Sequence, residues 1–154
     1  MGLLETMIDR IVYIDAGPFI YFMERNPSYE KSLDAFFSLM SRGEVRAVTS
    51  TVTLAEVLVK PYRCKQWAIA EKYESIFEGT SEMTLISVDT EIGRLAAKLR
   101  TSCSLLTPDA IHMATAMIHE ADFFLTNDSD FRKVNRMSRR LPKLVFIDEL
   151  LSPV

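Results

Sequence analysis

The sequence predicts an α/β fold, three layers (α/β/α) around a five-stranded parallel sheet, with residues 1–154 as one domain. Three observations carry that expectation. Short apolar strand-like runs alternate with longer stretches of helical periodicity, and right-handed crossovers between such strands place helices on both faces of a parallel sheet. Four carboxylates, Asp15, Glu56, Asp109 and Asp128, each stand where a strand ends or the next helix begins. The composition, 48% apolar and 25% charged over 154 residues, is that of an ordinary globular chain. A chain of this size buries roughly 70% of its unfolded surface.

The elements follow in order. Ile11 to Ile14 is an apolar run ending at Asp15, and Gly17-Pro18 breaks it and opens a helix toward Arg25. After Asn26-Pro27, Ser28 is placed to cap a second helix through Met40, with Leu33, Phe36, Phe37 and Met40 on one face and Gly43 past its end. Arg46 to Ser50 makes strand two; Thr51 or Thr53 then starts a helix that carries Glu56 and is expected to stop before Pro61. Lys65 to Phe77 reads as helix, ended by Gly79, and Met83 to Ser87 as strand three. Asp89 starts a helix in which Ile92, Leu95, Ala96 and Leu99 keep the spacing of a buried stripe. Thr107-Pro108-Asp109 opens another, read as a cap residue followed by proline at the first helical position, with Ala110, Met113, Ala114, Met117 and Ile118 as its packing face. Ala121 to Thr126 is strand four, Asn127 to Val134 a loop and short helix, and Leu144 to Ile147 strand five.

Two successive helices between strands three and four are read as the one connection long enough to cross the sheet and reverse its winding. Strands one and four then become neighbours at a switch point, where ligands of open α/β sheets bind. Asp15 and Asp128 stand at that crevice, and Glu56 and Asp109 can reach the same edge. Singly, each acid has a plain structural role: Asp109 complements a helix N-terminus for about 0.3–1 kcal/mol, Asp128 caps, Asp15 turns the chain, and Glu56 decorates a helix. Together they do not. Two carboxylates about 4 Å apart repel by roughly 4 kcal/mol at an effective dielectric of about 20, so four converge only where a proton or a cation compensates them. Oxygen donors with no cysteine or histidine nearby favour Mg²⁺ or Mn²⁺ over zinc.

The net charge of −3 argues against a general nucleic-acid coat, yet Arg132, Lys133, Arg136, Arg139, Arg140 and Lys143 form a run without an acid, six of the 18 bases. A solvated face is the plain reading; its place just after the acidic segment turns it toward phosphate contact, with Lys60, Arg63 and Lys65 as a further basic group. Cys64 and Cys103 show neither CxxC spacing nor a cysteine–histidine cluster and read as partly buried thiols. No apolar run approaches the roughly 18 residues of a membrane span and Met1 to Arg10 lacks a signal core, so the expected location is cytoplasmic. His112 and His119, seven apart on one helix, read as packing or surface residues rather than general bases, and Trp67, Phe36, Phe37, Phe123 and Phe124 as core. Tyr21, Phe22 and Met23 are a candidate apolar partner surface.

The motifs IVYIDAGPFI, STVTLAEVL, PDAIHMATA and LTNDSDF, in this order from Ile11 to about Ile147, resemble the PIN-domain ribonuclease family, most closely its compact VapC-type toxins. The resemblance implies Mg²⁺- or Mn²⁺-dependent endonucleolytic cleavage of RNA, homodimers in many members, and a small antitoxin that blocks the site. Asp15, Glu56, Asp109 and Asp128 match the family's acidic positions, and Ser50, Thr126, Asn127 and Asp130 its polar supporting positions. The neighbours Asp128 and Asp130 leave the fourth ligand open between them. Asp15 and Asp109 are then expected to hold one ion that activates a water, and Glu56 and Asp128 a second, if present, beside the leaving oxygen. Thr126 is placed for a metal-linked water and Asn127 for backbone or phosphate, unless both are loop anchors. Arg132, Lys133, Arg136, Arg139 and Arg140 are the candidate RNA contacts.

Two other classes compete. A catalytically inert RNA-binding or scaffold module would keep the fold, but it gains nothing from four mutually repelling acids. A phosphoryl-transfer or receiver site would also gather aspartates, but it wants a lysine after a late strand, where this chain has Ile147-Asp148-Glu149.

Overall fold

The structure, a computed structural model, describes residues 1–78, 80–134 and 139–154. Gly79, expected to end a helix, and Arg136 of the basic run lie outside the described residues. The described chain runs β1 (Ile11–Ile14), α1 (Ala16–Met23), α2 (Glu30–Ser41), β2 (Arg46–Ser50), α3 (Thr51–Arg63), α4 (Trp67–Phe77), β3 (Met83–Ile86), α5 (Thr90–Cys103), α6 (Thr107–Ile118), β4 (Phe123–Thr126) and β5 (Lys143–Phe146), with short 3-10 turns at Leu4–Met7, Ser129–Lys133 and Ile147–Glu149. The five strands are all parallel in the order β3-β2-β1-β4-β5, so β1 and β4 are neighbours and the winding reverses between them.

The strand pleat sorts the apolar side chains into two cores. Val12, Ile14, Ala47, Phe123, Leu125 and Val145 point into one with α1 to α4, while Tyr13, Val48 and Phe124 point into the other with α5 and α6. Helices thus cover both faces, which is why the strands read as nearly continuous apolar runs. The connection from β3 to β4 does cross the sheet, but its length is not what marks it. Helix pairs also join β1 to β2 and β2 to β3, so the reversal is set by which face α5 and α6 cover.

Three local expectations are corrected. Tyr29, not Ser28, is the N-cap of α2; the turn is held instead by Asn26, whose carbonyl accepts from Tyr29 and Glu30 and whose side chain accepts from Ser28 N–H. Helix α3 runs through Pro61 to Arg63, because the buried Pro61 ring packs toward α4 and the helix ends within a turn of the lost donor. Leu106 is the cap of α6, and Thr107 lies inside the helix with its hydroxyl accepting from Arg100. Gly43, at φ +72°, ends α2 in the left-handed conformation that a side chain disfavours, and Glu44 N–H closes the turn onto Leu39 O at 3.0 Å.

Candidate active site

All the parallel strands deliver their carboxyl ends to one edge, and Asp15 is the first residue beyond β1. Its N–H continues the β1–β4 ladder to Leu125 O at 3.0 Å, which fixes the residue over the switch point. The side chain caps α1, Oδ1 accepting from Ala16 N–H at 2.8 Å, while Oδ2 accepts from the Thr126 hydroxyl at 2.6 Å. Thr126 is fully buried, and its oxygen also accepts from Asp128 N–H at 3.0 Å. Its hydroxyl thus donates to the carboxylate of one acid and accepts from the backbone of another, tying the end of β1 to the loop after β4. Asp128 in turn caps the 129–133 turn, Oδ1 accepting from Asp130 N–H at 2.9 Å.

Glu56 arrives from α3, one and a half turns beyond its N-cap Ser50, whose hydroxyl accepts from Val52 N–H at 3.1 Å within a capping box completed by Thr53. Between Glu56 and Asp15 stands a residue that the sequence did not mark as part of the site. His112 of α6 is fully buried, with Nε2 2.8 Å from Glu56 Oε1 and 3.4 Å from Asp15 Oδ1. Its Nδ1 lies 2.6 Å from the Tyr13 hydroxyl and 3.4 Å from Thr53 Oγ1. The expectation of oxygen donors without a nearby histidine is thereby corrected. The available signal was the spacing Asp109 to His112, one helical turn, which puts both on one face of α6.

The acids divide into two groups. One ligand atom each from Asp15, Glu56 and His112 lies within 4.8 Å of the others, and so does one each from Asp109, Asp128 and Asp130. These groups cut across the expected pairing of Asp15 with Asp109 and of Glu56 with Asp128. Both line, or adjoin, a cleft of about 410 Å³ bordered by Asp15, Glu56, Asp109, Asn127 and Asp128. Burial and then the charges of Asp128 and Asp15 push the Asp109 carboxyl up to about 6. Burial likewise raises Asp15, opposed by His112, Thr126 and the Ala16 N–H. For His112 burial works against the charged ring, but the Glu56 hydrogen bond and the charges of Asp15, Glu56 and Asp109 outweigh it and the ring is raised. The donor set fits a hard divalent cation: five of the six ligand atoms are carboxylate oxygens, and each group of three lies within 4.8 Å.

A family model for the PIN domain matches residues 12–137. The chain belongs to the PIN domain family. Solved structures share the fold: a toxin-antitoxin complex from Klebsiella pneumoniae, at 21% identity and TM-score 0.65, covers 88% of this chain and 97% of its own. VapBC2 from Rickettsia felis, bound to a promoter DNA fragment, follows at 16% identity and TM-score 0.66, covering 88% and 98%. VapC20 of Mycobacterium tuberculosis, a sarcin-ricin loop cleaving toxin, has 14% identity and TM-score 0.66 over 84% and 98%. Among curated proteins none matches by sequence.

The remaining positions chosen on the PIN pattern separate. Asn127 borders the cleft and donates from Nδ2 to the Tyr29 hydroxyl at 3.1 Å, an anchor between the β4 loop and α2. Asp130 pairs with Lys133 at 3.6 Å. The basic run does not stay together: Arg132, stacked on Phe146 at 4.2 Å, and Lys133 lie in the turn beside the acids, whereas Arg140 binds Asp122, the residue before β4, at 2.6 Å. Arg139 and Arg140 border a separate cavity with Glu91 and Glu120. These two therefore sit at the opposite edge of the sheet, about 13 Å away for a four-residue strand. Trp67, expected in the core, is 58% exposed because it starts α4 at a hairpin tip, with Tyr62 beside it at 6.0 Å. Phe36, Phe37, Phe123 and Phe124 are buried as expected, His119 is the C-cap of α6, Cys103 is buried and Cys64 is exposed rather than partly buried. Among the described residues no helix is long and apolar enough to cross a membrane.

Proposed function

We propose that this PIN domain is a Mg²⁺- or Mn²⁺-dependent endoribonuclease and the toxin of a toxin–antitoxin pair. The observation that carries the reading is the convergence of Asp15, Glu56, Asp109 and Asp128 on one cleft at the switch point of the sheet. These four are the residues that would hold one or two ions, which when bound supply an activated water and charge neutralisation at a phosphodiester. Thr126 and the Ala16 N–H fix both oxygens of Asp15, so the carboxylate meets the cation without reorganising. Ser50 sets the start of α3 and through it the height of Glu56. Arg132 and Lys133, on the rim beside Asp130, are the bases placed to meet a phosphate entering the cleft; Arg139 and Arg140 are assigned to the fold.

The partner reading rests on the fold shared with toxin-antitoxin complexes and on a groove of about 240 Å³ lined by Ile20, Met23, Val57, Pro61, Ile69 and Tyr73. Glu56 borders both groove and cleft, so an antitoxin segment seated there would lie beside the site it blocks. The deciding experiment is single-turnover cleavage of a labelled RNA with Mn²⁺ and with chelator. Endonucleolytic products that vanish on chelation are expected; an RNA left intact in Mn²⁺, or cut in chelator, would sink the reading. A short neighbouring reading frame whose product suppresses that cleavage would bear out the antitoxin.

A further inference from the structure

We propose that His112 is a positioning residue whose Nε2–H donates to Glu56 Oε1 while its ring edge lies 3.4 Å from Asp15 Oδ1, holding the inner half of the cleft in a cation-ready arrangement. The inference rests on the nuclease reading of that cleft and names a group which that reading leaves unused. Three elements meet at the ring: Asp15 from the end of β1, Glu56 from α3, and His112 from α6. A carboxylate only accepts hydrogen bonds, so the nitrogen 2.8 Å from Glu56 and 3.4 Å from Asp15 is the one that carries hydrogen.

The other side of the ring fixes its orientation. Thr49 donates its hydroxyl to Ile14 O at 2.7 Å and so accepts from Thr53 at 2.8 Å, which leaves Thr53, 3.4 Å from Nδ1, with no hydrogen to give it and the Tyr13 hydroxyl as the donor to that nitrogen. Burial keeps the Tyr13 phenol neutral, and it meets Nδ1 at 2.6 Å. Every buried polar side-chain atom of the described residues has a partner, so the line from Tyr13 of β1 through His112 to Glu56 is satisfied at each atom, with Thr49 and Thr53 packed against its inner end. A ring so held has no freedom to turn away when the carboxylates repel. Asp109, one turn earlier on the same helix, reaches the rim, so α6 supplies an acid above and a donor below.

The test uses the two amides that each copy one ring nitrogen. Glutamine at 112 extends its N–H about as far as Nε2, whereas asparagine reaches only as far as Nδ1. By calorimetry, His112→Asn is expected to weaken Mn²⁺ binding about 10- to 100-fold, as loss of an outer partner of a metal ligand does, and His112→Gln to recover most of it. Equal losses in both variants would mean mere packing and would overturn the tether. The ring-nitrogen NMR spectrum of the metal-free wild type decides the matter without any variant: protonated Nε2 is expected, and a ring protonated only at Nδ1 overturns the proposal. So does direct coupling of bound Mn²⁺ to Nε2, which would make the ring a ligand. A wild type that binds no Mn²⁺ and cuts no RNA would instead end the nuclease reading; normal binding and cleavage with an unaffected His112→Asn would end the tether alone.

Discussion

The inner and outer halves of the cleft contain the same kind of group and treat it differently. Asp15 is buried and receives a backbone N–H, a hydroxyl and the edge of an imidazole, while Glu56 shares that imidazole. At the rim, Asp109, Asp128 and Asp130 stand within reach of one another with one backbone N–H on Asp128 and one lysine on Asp130 between them. The difference teaches where the fold has invested in order. Inside, donors from His112, Thr126 and Ala16 oppose the burial that raises Asp15; outside, burial and then the charges of Asp128 and Asp15 push the Asp109 carboxyl up to about 6, with no hydrogen-bond donor among the described residues set against them.

The largest test of that contrast is in cleavage. Asp15→Asn should lower the single-turnover rate with Mn²⁺ by more than about 100-fold, exceeding the loss that outer partners of a metal ligand cause, while Asp130→Asn should cost less than about tenfold. RNA affinity should change little in either, and equal rate losses would erase the distinction between the halves.

Stability against pH sharpens it next. The folded-state value of Asp109, about 6, lies above its ordinary 3.8, so its proton favours the folded protein. That contribution is complete below about 4 and is lost as pH rises through about 6. The metal-free protein should therefore lose stability across this window, and Asp109→Asn should melt higher than wild type at pH 7 while matching it near pH 4. A melting temperature of the variant that is lower at pH 7 would show that burial and neighbouring charge together do not disfavour the ionised Asp109.

The smallest expected effect concerns the basic residues. Arg132→Gln with Lys133→Gln should weaken RNA binding and flatten its salt dependence, with a slope change of about one per lost phosphate contact. Arg139→Gln with Arg140→Gln should leave the slope unchanged and lower the melting temperature, since Arg140 anchors Asp122. The reverse pattern would move the RNA path to the other edge of the sheet.

The neighbourhood of strands one and four and the convergence of the four acids were legible from alternating elements and from residues that end strands, although the length of the β3–β4 connection, which was to mark the reversal, is shared by two other connections. What escaped notice was decided by packing. A lone His112 on an apolar helix face has the sequence signature of a core residue, and it is one; only the meeting of α6 with α3 and β1 shows that its neighbours are acids. The unity of the basic run was misread for a related reason: sequence adjacency does not reveal that a strand's length separates Lys133 from Arg140, whose residues face opposite edges of the sheet. Pro61 inside α3 reflects tertiary burial overriding local preference.

The seam between the two cores has a consequence in time. Asp15 and Glu56 belong to the face built by α1 to α4, Asp109 and His112 to the face built by α5 and α6, and the bond that fixes Asp15 comes from Thr126, 111 residues later. At a synthesis rate of about 5–20 residues per second, a growing chain carries its first acid for many seconds before the last ones exist. Up to that moment the ribosome holds a half-built sheet whose carboxylates have nothing to converge upon. The cleft comes into being only after Asp128 has been made, so the cell meets no assembled site until all the elements that supply its acids exist.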